Sequence, residues 1–337
     1  MLFFGKKNKK KVEAEGYETD ESAKDKSKVL NFLWLNLDLP APPDPEDGSI
    51  RQPLPEEYIG NVRAAGKAHP AAEIDLWVDS KRLTERQMVY LKYAVENGME
   101  NVHLKDLRTI PEYSNEELYD RPETNPNWRS GYSGVIWLQV DSAKILISLQ
   151  GKFDQHFFAD MDHYHLDIES KRVQKMIGQH GLMIGSSDAT YVSIENQLWG
   201  FNETRRKFFE EYYATALENA YNGWNGFGPL CDKVYGELTG GKGGIRLKDI
   251  CLRIGSKGMA HAVQPGHEWS GRGGLWGGKK KKEKSPAVVS ADKVAEAFNA
   301  VAANDDGGKA DALPAATAYQ QNFAKWKQSQ PQLMKGR

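Results

Sequence analysis

Short apolar runs alternate with amphipathic stretches in the first third of the chain. Three of the runs have the length and residue types of strands: "VLNFLWLN" from Val29, "EIDLWV" at 73–78 and "NVHLKDL" at 101–107. Apolar positions recur at helical spacing in the two intervening segments, 55–67 and 84–97, and Thr84 is a suitable N-cap for the second. The order strand, helix, strand, helix, strand predicts a parallel sheet with helical crossovers.

The same two periodicities continue in the middle of the chain. Residues 135–149 are apolar at helical spacing, and Gly151 is expected to end that helix. The pattern predicts further helices at 170–180 and 203–221, and a strand at 181–188. The predicted fold class is therefore α/β, with a mostly parallel central sheet flanked by helices.

Both ends of the chain differ from this pattern. Residues 1–27 are rich in Lys, Glu, Asp and Ser, and such a composition does not repay the entropy of ordering. Four lysines at 279–282 begin a basic linker, which is followed by the helical segment "ADKVAEAFNAVAAN". We expect a charged tail over 1–27, a compact domain over 28–278, and a basic linker with a helical tail over 279–337.

Composition excludes several classes of protein. A net charge of -1 over 337 residues gives no reason to expect nucleic-acid binding. Cys231 and Cys251 are too few for a disulfide framework and form no CxxC pair. The sequence lacks a signal-peptide pattern and a long apolar run, so we expect a soluble, cytoplasmic protein. The lysine-rich N-terminus is interpreted as a solvated end, with peripheral contact to an anionic membrane surface as the alternative.

The stretch "FFADMDHYH" at 157–165 carries the first candidate chemistry. Asp160 and Asp162 follow an apolar run at a spacing of two residues, so both carboxylates can turn toward one point. Oxygen ligands suit a hard divalent cation such as Mn²⁺ or Mg²⁺. An acidic turn in solvent is the alternative. His163 and His165 are assigned by strand period to one common side, with a structural or acceptor-side role.

A series of motifs in chain order resembles the GT-A glycosyltransferases of the DXD sugar-binding group, which includes the large clostridial glucosylating toxins and the Och1-like mannosyltransferases. In "VDSAKILISLQGKFDQHFFADMD", Asp141 and Lys144 fall at the family's Asp and Arg positions, and Asp160 and Asp162 form the DXD. Other landmarks are "VLNFLWLN", "EIDLWVD", "MIGSSDATYVSIENQLWG", "GWNGFGP" and "HEWSGRGGLW". Six landmarks in order are stronger evidence than any one of them.

The resemblance implies a GT-A-type, Rossmann-like domain that transfers a sugar from a nucleotide-sugar donor with retention of configuration. A UDP-sugar is the favoured donor, and the acceptor is a glycan or a protein. The metal, Mn²⁺ or Mg²⁺, would be held by Asp162 directly, by Asp160 through a water, and by His267, Glu268 or Ser270. The remaining implied donor contacts are Trp34 with the base, Asp141, Glu195 and Asn196 with the sugar, Asp188 in the same motif, Lys144 with the diphosphate or the sugar, and Trp276 as a lid.

The sequence also departs from the family. Lys144 replaces the usual arginine and so loses bidentate pairing. The segment before the DXD strand is about three residues longer than usual, and "NETRRKFF" from Asn202 replaces the common Gly-His-Pro. Two alternatives therefore stay open: a non-catalytic nucleotide-sugar-binding or scaffold protein, and a metal-dependent hydrolase built on the Asp/His cluster at 160–169. A secreted effector acting on a protein is the alternative to a cytoplasmic enzyme of glycan synthesis.

Overall fold

The apolar runs predicted as strands form the centre of one sheet in the computed structural model. The structure describes residues 27–121, 136–186, 194–224, 227–240, 244–253 and 287–305. The strands are β1 Lys28–Leu33, β2 Ile50–Arg51, β3 Glu73–Val78, β4 Val102–Asp106, β5 Gln155–Ala159, β6 Leu182–Ser186, β7 Ile194–Asn202, β8 Cys251–Arg253 and β9 Val288–Val289. The helices are α1 Glu56–Ala68, α2 Glu85–Glu96, α3 Pro111–Asn115, α4 Ile136–Ser148, α5 Lys171–His180, α6 Arg206–Tyr221, α7 Phe227–Lys233, α8 Leu247–Ile250 and α9 Ala291–Asp305.

The main sheet has the strand order β4-β3-β1-β5-β7-β6-β8. β1 pairs in parallel with both β3 and β5, and β6 pairs in parallel with β8. β7 alone among these strands runs antiparallel to its neighbours, β5 and β6. The strand order reverses beside β1, because the chain proceeds outward through β3 and β4 on one side and resumes at β5 on the other. The predicted α/β class with a mostly parallel sheet is confirmed.

Helices cover both faces of this sheet. One apolar core lies between the sheet and helices α4, α6 and α7, and contains Trp199 and Phe209. The other lies against α1, α2 and α5, and contains Phe157. Because the central strands are buried on both faces, they read as nearly continuous apolar runs, as in other parallel sheets.

Local sequence signals account well for several element boundaries. Thr84 forms a capping box with Gln87 at the start of α2, in which each side chain accepts a hydrogen bond from the other residue's backbone N–H. Ser170 caps α5, and Gly181 ends it in the left-handed region at φ 71°. Gly151 also has a positive φ of 76° beyond α4, so the chain turns there before β5.

The structure adds features that the pattern did not predict. β7 begins at Ile194, continues with the polar residues Glu195, Asn196 and Gln197, and was not identified as a strand. The helix α9, placed in the tail, packs on α2, and its Phe298 is buried there. β9 pairs with β2 in the same region. The packing of α9 on α2 joins a helix beyond the predicted boundary at residue 278 to a helix before it.

The assignment of His163 and His165 by strand period is wrong. β5 ends at Ala159, and Met161–His163 form a 3₁₀ turn in which the His163 N–H donates to the Asp160 carbonyl at 2.7 Å. The turn buries His163 and leaves His165 exposed. Within the described residues, no helix combines the length and the apolar character that crossing a bilayer requires.

Candidate functional site

Polar side chains from four elements meet at the carboxyl ends of β1 and β5. Trp34 directly follows β1 and Asp160 directly follows β5. α4 lies against both strands and carries Asp141 and Lys144 near its middle. Because β7 is antiparallel to β5, its first residues return to the same edge and place Asn196 beside α4.

Lys144 and Asp160 form an ion pair at the centre of this cluster. The Lys144 Nζ lies 2.6 Å from Asp160 Oδ1, and the exposed fractions of the two side chains are 9% and 24%. The ammonium also donates to the Asn196 carbonyl at 3.4 Å and lies 5.2 Å from the centre of the Phe158 ring. One carboxylate oxygen, one carbonyl and one aromatic face therefore surround the charge.

Asn196 connects this pair to Asp141. Its side-chain Nδ2 donates to Asp141 Oδ1 at 2.9 Å, while its backbone carbonyl accepts from Lys144. Tyr212 of α6 lies near Asp141, and burial, with a smaller contribution from the Asp141 charge, raises its pKa well above the usual value. Asp141, Lys144, Asp160 and Asn196 thus form one contiguous chain of contacts, although the first and the last of them are 55 residues apart in sequence.

Asp162 lies on the other side of the same turn. His163 Nε2 is 3.8 Å from Asp162 Oδ1 and 2.7 Å from Gln197 Oε1 of β7. The Asp160 N–H donates to the Gln197 carbonyl at 2.7 Å, so β7 holds the acidic turn through both backbone and side chain. His163 therefore has a structural role in fixing the turn that carries both aspartates.

Two aromatic rings border the acidic turn. Trp34 is partly buried, with its ring centre 5.6 Å from that of Tyr58 in α1, and its Nε1 donates to Asn36 Oδ1 at 2.6 Å and to the Pro53 carbonyl at 3.0 Å. Burial, followed by the charge of Asp162 and the smaller effects of Glu57 and Asp160, raises the pKa of Tyr58 to about 12. The charges of both aspartates therefore act on Tyr58, which no sequence motif marked as a site residue.

A buried ionic network supports the site from the next strand. Asp79, at the end of β3, accepts two hydrogen bonds of 2.7 Å from Arg108 and one of 2.9 Å from Tyr113 Oη. Arg82 Nε also donates to Asp79 at 3.3 Å, and both side chains are fully buried. Arg82 then donates to the Asn36 carbonyl, beyond Trp34, and to the Gln139 side chain in α4. The motif ending "LWVD" contained Asp79, but no sequence signal identified its two arginine partners.

The arrangement of charges suits a cation. Asp160 and Asp162 present oxygen donors with exposed fractions of 24% and 19%, and an ammonium already stands against Asp160. Within the described ranges, no group of three or more His, Cys, Asp or Glu residues is arranged to hold a metal ion. A complete ligand set would therefore need donors other than these two aspartates.

Several predicted site residues cannot be placed. Asp188, His267, Glu268, Ser270 and Trp276 lie outside the described residues. Glu195 is described and lies near Cys231 of α7. Burial, followed by the charges of Asp232 and Glu195, raises the pKa of the Cys231 thiol to about 11. The structure thus brings Trp34, Asp141, Lys144, Asp160, Asp162 and Asn196 together around one edge of the sheet.

Comparisons with known proteins give only distant likenesses. No family model matches the chain, and no curated protein matches it. A transferase with two cysteine-to-serine substitutions is 14% identical, with a TM-score of 0.41, over 65% of this chain and 88% of that one. The galactosyltransferase LgtC with donor and acceptor sugar analogues is 12% identical, with a TM-score of 0.34, over 60% of this chain and 70% of that one. An active-site mutant of LgtC is 10% identical, with a TM-score of 0.36, over 81% of this chain and 95% of that one. Identities and scores this low assign no family.

Proposed function

We propose that the protein is a metal-dependent glycosyltransferase that moves a sugar from a nucleotide-sugar donor to a glycan or protein acceptor with retention of configuration. The observation that carries the proposal is the contact chain Asp141–Asn196–Lys144–Asp160 at the carboxyl ends of β1 and β5. The strand order reverses at this position. In open α/β sheets, ligands bind in the crevice at such a switch point.

The site contains groups suited to each part of a nucleotide-sugar. Trp34 offers an aromatic face for the base at the end of β1. Lys144 offers a positive charge for a diphosphate, and the Asp141–Asn196 pair offers hydrogen-bond acceptors and donors for sugar hydroxyls. The residue types and their order also agree with the resemblance described above, which is what favours a UDP-sugar.

A divalent cation, Mn²⁺ or Mg²⁺, would be held by Asp160 and Asp162, with His267 and Ser270 as further proposed donors. When bound, it would stabilise the negative charge that a leaving diphosphate gathers. The chain's own contribution is to hold the donor in a fixed orientation. Gln197 and His163 fix the turn that carries the two aspartates, and Arg82 links the backbone next to Trp34 to α4.

The test is a screen of UDP- and GDP-sugars with Mn²⁺, in which mass spectrometry follows donor hydrolysis and transfer. We expect turnover with at least one donor and its loss in Asp162→Ala. Asp154→Ala, an exposed aspartate directly before β5 and so at the end of the strand away from the site, is the matched control and should retain activity. If no donor is turned over and wild type behaves like Asp162→Ala, the enzyme proposal fails. Release of phosphate without affinity for any nucleotide-sugar would instead support a hydrolase.

The second candidate function is a binding or scaffold protein that retains the same site without catalysis. The observation that favours it is the ion pair of Lys144 with Asp160, because it occupies a carboxylate that a metal would use. Nucleotide-sugar binding without turnover in the same screen would support this candidate. For either function, we propose the cytoplasm as the place of action, with secretion as an effector as the alternative.

A further inference from the structure

We propose that Lys144 makes the binding of a divalent cation and of a nucleoside diphosphate cooperative, because its ammonium occupies Asp160 until an anionic ligand draws it away. This inference rests on the proposed nucleotide-sugar site and concerns how that site is loaded. The Lys144 Nζ is 2.6 Å from Asp160 Oδ1, so the position next to this carboxylate is already taken by a positive charge.

The base of the Lys144 side chain is fixed, whereas its end can move. The Ser148 hydroxyl donates to the Lys144 carbonyl at 2.8 Å, and neighbouring Ala143 is fully buried, so α4 holds the backbone in place. A lysine has four rotatable carbon–carbon bonds beyond that backbone, and a single ammonium makes no planar, two-point contact. The ammonium can therefore move to another anion without any movement of α4.

The cation and the ammonium compete for the negative charge of Asp160, whose Oδ1 the ammonium contacts. Two positive charges at contact distance repel each other strongly in a partly buried site. The ammonium on Asp160 therefore opposes the approach of a divalent cation to the two aspartates, whether the cation meets Asp160 directly or through a water. Its other contacts among the described residues are neutral, namely the Asn196 carbonyl and the Phe158 ring. Leaving a buried ammonium without an anion is costly, so a cation alone should bind weakly.

A diphosphate removes this obstacle, since it supplies the anion that Lys144 loses when it releases Asp160. Each ligand should then raise the affinity for the other by the same factor, because coupling between two binding equilibria is reciprocal. Coupling of this kind is commonly 5- to 150-fold. An arginine at this position would hold both oxygens of a carboxylate and would release it less readily. The lysine in place of the arginine expected from the resemblance therefore favours release.

The test measures Mn²⁺ affinity by calorimetry with the full chain, with and without UDP, after correction for Mn²⁺–UDP association in solution. In wild type, UDP should tighten Mn²⁺ binding about 10-fold. In Lys144→Met, Mn²⁺ alone should bind more tightly than it binds to wild type, and UDP should tighten Mn²⁺ binding by a smaller factor than in wild type. Lys144→Gln is a second variant in case methionine disturbs the packing. Lys152→Met, an exposed lysine beyond α4, is the control and should behave like wild type.

Unchanged Mn²⁺ affinity in both Lys144 variants would overturn the inference. So would UDP coupling in those variants equal to that of wild type. Failure of the proposed function would look different: wild type would bind neither UDP nor any UDP-sugar, whatever its affinity for Mn²⁺. An increase in Mn²⁺ affinity on removing the Lys144 charge can be measured without any nucleotide and without any activity.

Discussion

His156 should lower the free energy of unfolding as the solution becomes acidic. It lies in β5, fully buried, and stacks on Phe201 with ring centres 5.1 Å apart. Neither ring nitrogen has a hydrogen-bond partner of normal geometry in the described structure. Burial, with the positive charge of Arg206 as a smaller cause, lowers the pKa of His156 from 6.5 to about 4, against a weak opposing effect of the Phe153 backbone.

The size of the effect follows from this difference in proton affinity. Each tenfold change in proton affinity is worth about 1.4 kcal/mol. The fall of the His156 pKa from 6.5 to about 4 therefore corresponds to roughly 3 kcal/mol in the free energy of unfolding. Between these two pH values the unfolded chain binds a proton at His156 and the folded chain does not. The stability that depends on a neutral His156 is therefore fully present above about pH 6.5 and is lost as the pH falls toward 4.

The assay is urea denaturation at several pH values between 4 and 7, with wild type and His156→Phe. Phenylalanine suits the aromatic surroundings and has no group to protonate, so the variant should lose stability more slowly on acidification. His156→Leu tests the same point with a smaller side chain. Both variants are compared by the slope of the free energy of unfolding against pH. A change in packing alters that free energy by a similar amount at every pH and leaves the slope unchanged.

If His156→Phe and His156→Leu show the wild-type pH dependence, the buried imidazole is not the cause of acid sensitivity. The reasoning would then be refuted even if both variants were less stable than wild type.

Three other changes test the supports of the fold. Asp79→Asn should cost roughly 3–5 kcal/mol in urea denaturation, because Arg82 and Arg108 lose their shared buried anion, and a loss below 1 kcal/mol would contradict this. Gly181→Ala should cost more than about 1 kcal/mol, since φ is 71° and an added Cβ would clash with the Thr204 hydroxyl; an unchanged melting temperature would contradict it. Phe298→Ala should cost about 3 kcal/mol if α9 belongs to the domain, and no change would show that α9 adds no stability.

The regular part of the fold could be predicted from the sequence. EIDLWV became β3 at the predicted residues, and Thr84 caps α2 as expected. These elements carry their own signals, because residue periodicity and capping chemistry act over a few neighbouring positions. Asp160 and Asp162 could be proposed as a pair for the same reason, since they directly follow an apolar run.

Contacts between distant segments could not be predicted in this way. β7 has a polar first half and is defined by pairing with β5 and β6 rather than by its own pattern. The two arginines on Asp79 come from positions 3 and 29 residues further along the chain. α9 was predicted to be helical, but its docking on α2 depends on an apolar surface formed elsewhere in the chain.

The sequence by itself determined the α/β architecture and the candidate residues, because local periodicity and residue chemistry are encoded in neighbouring positions. Only the tertiary structure decided how those residues are paired. The antiparallel return of β7 places Asn196 against Asp141, and the packing of α4 on β5 places the Lys144 ammonium on Asp160. Such pairings depend on strand order and on the direction of each chain segment, which no short stretch of sequence specifies.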